Sequence, residues 1–402
     1  MKITWTNQTP PKLEKAEGEI ITLIAKPDDN SDLITEFTQA VSNLTLQYKN
    51  DIGENRAYIN DVTFYTKDIN LFKDNLATLD KIYRMKMTGK LGKVSLVKDS
   101  NLKIVATAVK LPLTNDVVYN GYTSSELYDQ YYTFFTAPSA PEIIKSWVSS
   151  KIDDGLVKQE ITFGENDYQN SLDIVLPKDI MPNNPIPVLI HIHGGYWMYT
   201  DKSIYNAICN TYTKEGIAVV NINYPQAPDA SFKEIIESCK SAIRYIYNSA
   251  DKYGFDTNNI TLCGHSAGAH LASVMGITNW SNVDTKLPEN IFKHVILFSG
   301  IYNLKPLTKF VYNYVFQIQD SDLSDISIPH MDCCKGTPFT AYVGSKESSE
   351  FQHQSLYLKE YLEANNIDIS LNVVEQHDHF STVNDFYCSG SKIFEHCLSI
   401  IK

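Results

Sequence analysis

The chain has 402 residues, of which 43% are hydrophobic and 11% aromatic, including 25 tyrosines and 17 phenylalanines. That is ample material for packed cores and too much for a disordered chain, and the length predicts two domains at about 100–200 residues each. A formal net charge of -12, with no basic run, argues against a nucleic-acid partner, because such binding needs basic side chains to displace counterions.

The first segments expect neither a leader nor a membrane span. "MKITWTNQTPPKLEKAEGEI" has no apolar core, and nowhere do about 18 apolar residues run together. The seven cysteines have no CxxC spacing and do not read as a disulfide framework, so a reducing, cytoplasmic location is expected.

Up to about residue 110 the pattern predicts strand, helix, strand, helix, strand, strand. "GEIITLIAK" is apolar and β-branched, and Leu33, Ile34, Phe37, Val41 and Leu44 recur at helical spacing. "YINDVTFY" is a second strand, and Leu71, Leu76, Leu79, Ile82 and Tyr83 fall on a second helix. "KVSLV" and "KIVATAV" are expected to pair as a hairpin across "KDSN". The small α+β domain spans residues 1–112.

The stretches "FTQAVSNLTLQY", "INDVTFYTKDINLF" and "KVSLVKDSNLKIVATAV" resemble the Rid-type (YjgF-like) imine deaminase fold. In that family an Arg grips the substrate carboxylate from the strand where this chain has Lys93, and an ammonium cannot reproduce the planar fork. "IVATA" also stands where an acidic residue is expected. The resemblance therefore implies a degenerate relative, used for packing, for shaping the other domain's entrance or for homo-oligomer formation.

Pro112, Asn115, Asn120 and Gly121 mark a boundary, and the second domain is set at residues 122–402. Here "VKQEITF" and "SLDIVLP" look like paired strands, followed by "VLIHIH", "IAVVNINY", "ITLC", "HVILFSG", "FTAYVG" and "ISLNVVE". Most are short apolar runs separated by helix-period segments, such as that carrying Phe232, Ile235, Ile236, Cys239, Ala242, Ile243 and Ile246. Buried strands alternating with helices predict an α/β architecture, a mainly parallel sheet with helices on both faces.

In such a sheet chemistry gathers at the carboxyl ends of strands. Ser266 follows "ITLC" inside Gly264, His265, Ser266, Ala267, Gly268, a G-x-S-x-G frame between a strand and a helix, as a nucleophile elbow requires. A serine hydroxyl needs a base. "NVVEQHDHF", after the final strand, offers His379, with His377 as the alternative. The acid that orients the base should leave a strand between them. "FTAYVGSKESSEF" offers Glu347 or Glu350. "HIHGGYW" supplies an oxyanion loop, with the N–H groups of Gly195, Tyr196 and Ala267 as donors and His193 bracing the turn. The H-x-H pairs at His191/His193 and His377/His379 lack a third ligand at suitable spacing, so no metal is expected.

With "HGGYW", the "DKS" beginning at Asp201, "NYPQAP", "GHSAGAHLAS", "SGIYNLKPL", "SEFQHQS" and "HDHF", residues 122–402 resemble the α/β-hydrolase superfamily, and within it the kynurenine formamidase (arylformamidase) group. The resemblance favours Glu347 as the acid and His379 as the base. It implies hydrolysis of a small-molecule aryl formamide through an acyl-enzyme, without a cofactor, with Tyr196 and Trp197 available to contact the aryl amine. Glu347 stands where many relatives have Asp, Asn303 replaces an acidic residue, and the N-terminal domain is foreign to the usual formamidase. The alternatives are a carboxylesterase using the same triad on small acyl esters, and a non-catalytic ligand-binding protein of the same fold.

Overall fold

Strand-forming runs and amphipathic helices organise the chain into two units, residues 1–114 and 115–402. A computed structural model describes residues 20–28, 32–52, 57–75, 79, 93–110, 113–164, 168–178 and 185–402. Leu76, Ile82, Tyr83 and Pro112 lie outside the described residues.

In the first unit β1 (Ile20–Ala25), α1 (Leu33–Ile52), β2 (Ala57–Thr66), α2 (Ile69–Asp74), β3 (Lys93–Lys98) and β4 (Lys103–Lys110) follow one another as expected. The sheet order is β1-β4-β2-β3. The hairpin expected between β3 and β4 does not form: β2 lies between them, parallel to β3 and antiparallel to β4. Their connection passes the end of β2, where the Asp99 N–H donates to the Thr66 carbonyl. This order aligns Leu96, Phe64, Ile104 and Ala25 in one cross-strand row, all buried. Phe37, Val41 and Leu44 of α1 belong to the same apolar cluster. Short-range alternation specifies which residues face inward, but not which strand takes the central place.

The second unit opens with a two-stranded ribbon, β5 (Val117–Tyr119) and β6 (Tyr122–Thr123). A helix, Ser124–Tyr131, follows, started by a capping box between Thr123 and Glu126. The main sheet has eight strands: β7 (Val157–Thr162), β8 (Ser171–Leu176), β9 (Ile186–Ile192), β10 (Ala218–Ile222), β11 (Phe255–His265), β12 (His294–Phe298), β13 (Phe339–Gly344) and β14 (Ile369–Val374). Their order is β7-β8-β10-β9-β11-β12-β13-β14. β10, β9, β11, β12, β13 and β14 are mutually parallel, while β8 is antiparallel to both β10 and β7. The central strands are apolar on both faces because helices cover both; every residue of β8, β10 and β13 is buried. This is the α/β-hydrolase fold, and its parallel strands carry their chain ends, and the residues that follow them, to one edge of the sheet.

Candidate active site

The turn after β11 is shaped by close backbone approach. Ser266 sits at φ 56°, ψ −119° between the strand and the helix Ala267–Ile277. A Cβ on Gly264 would lie 2.2 Å from the Gly268 carbonyl oxygen, and one on Gly268 would lie 2.0 Å from that of Ile192. Only glycine lets the helix start so near its own strand and the neighbouring β9. The left-handed backbone at serine is strain of the kind concentrated at functional sites. The Ser266 N–H is held by the Phe298 carbonyl at 2.8 Å.

β13 and β14 deliver the other two groups. Glu347 lies three residues past the end of β13 and is buried. Its Oε2 is 2.8 Å from His379 Nδ1, while Oε1 accepts from the Gly344 N–H at 2.7 Å and the Ser299 hydroxyl at 2.6 Å. Each carboxylate oxygen thus faces a donor, so the arrangement suits an ionised acid and the Nδ1–H tautomer of His379. His379 is buried, with Phe351 edge-on at 4.7 Å. Of the two rival residues, Glu350 accepts from the Tyr131 hydroxyl at 2.9 Å. His377 lies 3.0 Å from Asp385.

His265, next to the serine, packs its ring 4.7 Å from that of His379 and its Nε2 lies 2.9 Å from the His379 carbonyl. Burial, reinforced by the nearness of His379, holds its pKa well below the usual imidazole value. It is therefore neutral, and Nε2–H is the donor to that carbonyl.

The loop after β9 closes against the same turn. A Cβ on Gly194 would lie 3.2 Å from the Ser266 Cβ. Gly195, Tyr196 and Trp197 all take positive φ, and the N–H groups of Met198 and Tyr199 return to the Gly195 carbonyl. The His193 Nδ1 and the Thr200 hydroxyl meet at the Gly194 carbonyl, and the His193 ring stacks on Tyr224 at 4.4 Å. His193 thus braces the loop. Among the described residues no hydrogen bond uses the N–H of Gly195, Tyr196 or Ala267.

Trp197 departs from its expected place against substrate. It is fully buried, donates through Nε1 to His270 at 3.2 Å and packs on Phe232 and Phe316. Its positive φ turns the indole under the loop into the core, which is a packing role. Tyr196 instead sends its hydroxyl to the Tyr131 carbonyl, with its ring beside Tyr199 and Tyr312. Asn303 accepts from the Lys305 N–H at 3.0 Å, a local Asx-turn bond that a carboxylate would make equally well.

Ser299 is a partner that sequence reasoning missed. It follows β12 directly, as Ser266 follows β11, and takes φ 50°. Its place at a strand's carboxyl end was a usable signal. The other missed groups, Gln130 and Tyr131, lie in a helix that carries no catalytic motif.

A family model described as BD-FAE matches residues 172–329. A kynurenine formamidase of Danio rerio is 28% identical over 233 residues, covering 56% of this chain and 75% of that protein. Esterase LipC of Mycobacterium tuberculosis is 33% identical over 147 residues, 36% of each chain. Among solved structures, esterase B of Lactobacillus rhamnosis superposes with a TM-score of 0.54 at 19% identity, covering 69% of this chain and 94% of that one. Fold, serine turn and relatives together place the chain in the α/β-hydrolase superfamily, as an enzyme that hydrolyses ester or amide bonds.

Proposed function

We propose that the protein is a serine hydrolase that cleaves an aryl formamide of the N-formyl-L-kynurenine type through a Ser266–His379–Glu347 triad. The observation that carries the reading is the 2.8 Å contact between His379 Nδ1 and Glu347 Oε2, at the same sheet edge as a strained serine turn. Glu347 holds the Nδ1–H tautomer and leaves Nε2 as the base. Ser266 Oγ attacks the formyl carbon and passes its proton to His379, and the N–H groups of Gly195, Tyr196 and Ala267 take the developing oxyanion charge. His379 then protonates the departing arylamine. Water attacks the formyl-enzyme by the same relay, releasing formate and restoring the serine.

The formamidase relatives, aligned over most of their own length, support the formamide over the ester. The esterase relatives of higher identity are matched over only 24% to 36% of their length, and they keep a small acyl ester as the second reading. The test compares kcat/KM for N-formyl-L-kynurenine and p-nitrophenyl acetate in wild type and Ser266→Ala. Loss of both activities in the variant, with the formamide preferred by wild type, is expected. A strong ester preference overturns the substrate, and an active Ser266→Ala overturns the mechanism.

A further inference from the structure

The three loops that bring the proposed catalytic groups together come from distant parts of the chain, and each docks on the same short segment, residues 130–139. The oxyanion loop is joined to it through the Tyr196 hydroxyl, which donates to the Tyr131 carbonyl at the end of the helix Ser124–Tyr131. The acid loop is joined through Gln130. Its backbone carbonyl accepts from the Ser348 hydroxyl at 2.5 Å, and its side-chain Oε1 accepts from the Ser349 hydroxyl at 2.9 Å and the Glu350 N–H at 3.2 Å. Ser348 is the residue after Glu347. The base loop is joined twice: the Ser139 hydroxyl donates to Asp378 Oδ2 at 3.0 Å, and Phe134 packs on Phe380 with centroids 5.2 Å apart. Asp378 and Phe380 flank His379, and Asp378 Oδ1 accepts the N–H groups of Phe380 at 3.0 Å and Ser381 at 2.9 Å.

Taken with the triad reading, on which it rests, the geometry points to a dedicated positioning role for this segment. We infer that Gln130, the Tyr196–Tyr131 link and Ser139 are positioning elements that set the mutual register of the acid, oxyanion and base loops. None of these side-chain contacts touches the reacting atoms: Tyr196 meets the oxyanion through its backbone N–H, and its hydroxyl, which makes the link, points to the Tyr131 carbonyl. The chemical reason is distance tolerance. A base 2.8 Å from its acid works only if its other nitrogen meets the serine hydroxyl, and a misplacement of about 1 Å from a remote change can cost about 100-fold in rate. The loops differ in origin: the bonds from this segment to Tyr196, Ser349 and Asp378 span sequence separations of 65, 219 and 239 residues. A common anchor supplies what local chain geometry cannot. Tyr131 is itself fixed, because its hydroxyl donates to Glu350 at 2.9 Å and accepts from Gln354 at 3.0 Å.

The test uses the full chain with Gln130→Ala, Ser139→Ala, Tyr196→Phe and the conservative Gln130→Glu, whose carboxylate still accepts both acid-loop donors. Each variant is measured for kcat and KM on p-nitrophenyl acetate, for its rate of labelling by a fluorophosphonate, and for Tm. Each of the first three is expected to lower kcat and labelling rate roughly 5- to 30-fold, with KM within about twofold and Tm within a few degrees of wild type. Gln130→Glu is expected to recover kcat to within about threefold of wild type. Wild-type kcat in the three variants overturns the inference, as does a loss that follows Tm or is not recovered by Gln130→Glu. Ser266→Ala separates the two failures. If it stays active and is still labelled, the triad reading falls; if it is inert while the positioning variants behave as wild type, only the positioning role falls.

Discussion

Glu347 shows how a single side chain sets the state of another. Its Oε1 accepts two donors, from Gly344 and Ser299, and its Oε2 faces His379 Nδ1. An amide cannot satisfy all three contacts, since it has one acceptor oxygen. In Glu347→Gln the oxygen stays with the two fixed donors and the NH2 turns to His379. That makes Nδ1 an acceptor and places the ring proton on Nε2, where it blocks proton transfer from Ser266. The expected result is a fall in kcat of roughly 10³- to 10⁴-fold with little change in KM, measured by steady-state kinetics. A fall below about tenfold would remove the tautomer argument. The places of Ser266 after β11 and of His379 after β14 were readable in sequence because a strand-turn-helix frame and a His after the last strand have local signatures. Glu347 and Glu350 were not separable by local pattern, since both follow β13 within a few residues. What divides them is which one β14 and its loop bring opposite an imidazole, and that is a tertiary fact.

At the scale of elements, the elbow is a contact between two backbones. Gly268 lies in the first turn of its helix, and its Cα faces the end of β9, where an added Cβ would sit 2.0 Å from the Ile192 oxygen and 2.5 Å from that of His193. Neither oxygen belongs to a flexible side chain, so relief requires the helix to move away from the sheet and to take Ser266 with it. Gly268→Ala is expected to destabilise the second unit by about 3 kcal/mol or more, at the upper end of overpacking costs, and to lower kcat well beyond the fraction unfolded. Urea denaturation and kinetics on the same preparation check this; a loss under about 1 kcal/mol would show that the helix has room to yield. The strands of the second unit were legible because burial on both faces forces continuous apolar runs. The β3–β4 pairing was not. Two neighbouring strands joined by a few residues suggest a hairpin, but cross-strand burial put β2 between them, with Phe64 opposite both Leu96 and Ile104.

For the molecule as a whole, the division into an N-terminal α+β unit and a larger α/β unit was readable from the change in hydrophobic pattern, whereas the cost of burying polar groups within the sheet was not. Among the described residues, His191, His265 and His270 are buried around β9 and β11 with protein partners. Burial holds His270 down to about 4, and burial aided by His193 holds His191 down to about 3; burial and the neighbouring His379 keep His265 well below its usual value. In the unfolded chain each titrates near about 6.5. The folded pKa is the lower one, so the unfolded state binds more protons below about 6.5. The stabilisation is full above that pH and is lost as pH falls toward the folded values. Each histidine then costs about 1.4 kcal/mol per pH unit, and three together about 4, against a total stability of roughly 5–15 kcal/mol. His377 acts in the opposite sense: burial opposes its charge, but the Glu375 carbonyl and Asp385 carboxylate outweigh it and raise its pKa. Its contribution is full below about 6.5 and is lost as pH rises through the folded value. It lies at the surface and is worth under about 1 kcal/mol, so it does not offset the buried three. The Tm of the second unit is therefore expected to fall steeply between pH 6.5 and 5. In His270→Gln, whose amide can still donate to Ile326 and accept from Trp197, the fall should be shallower by about one proton's worth. Calorimetry across that range decides it, and a flat Tm would mean that these rings are hydrated enough to charge in place.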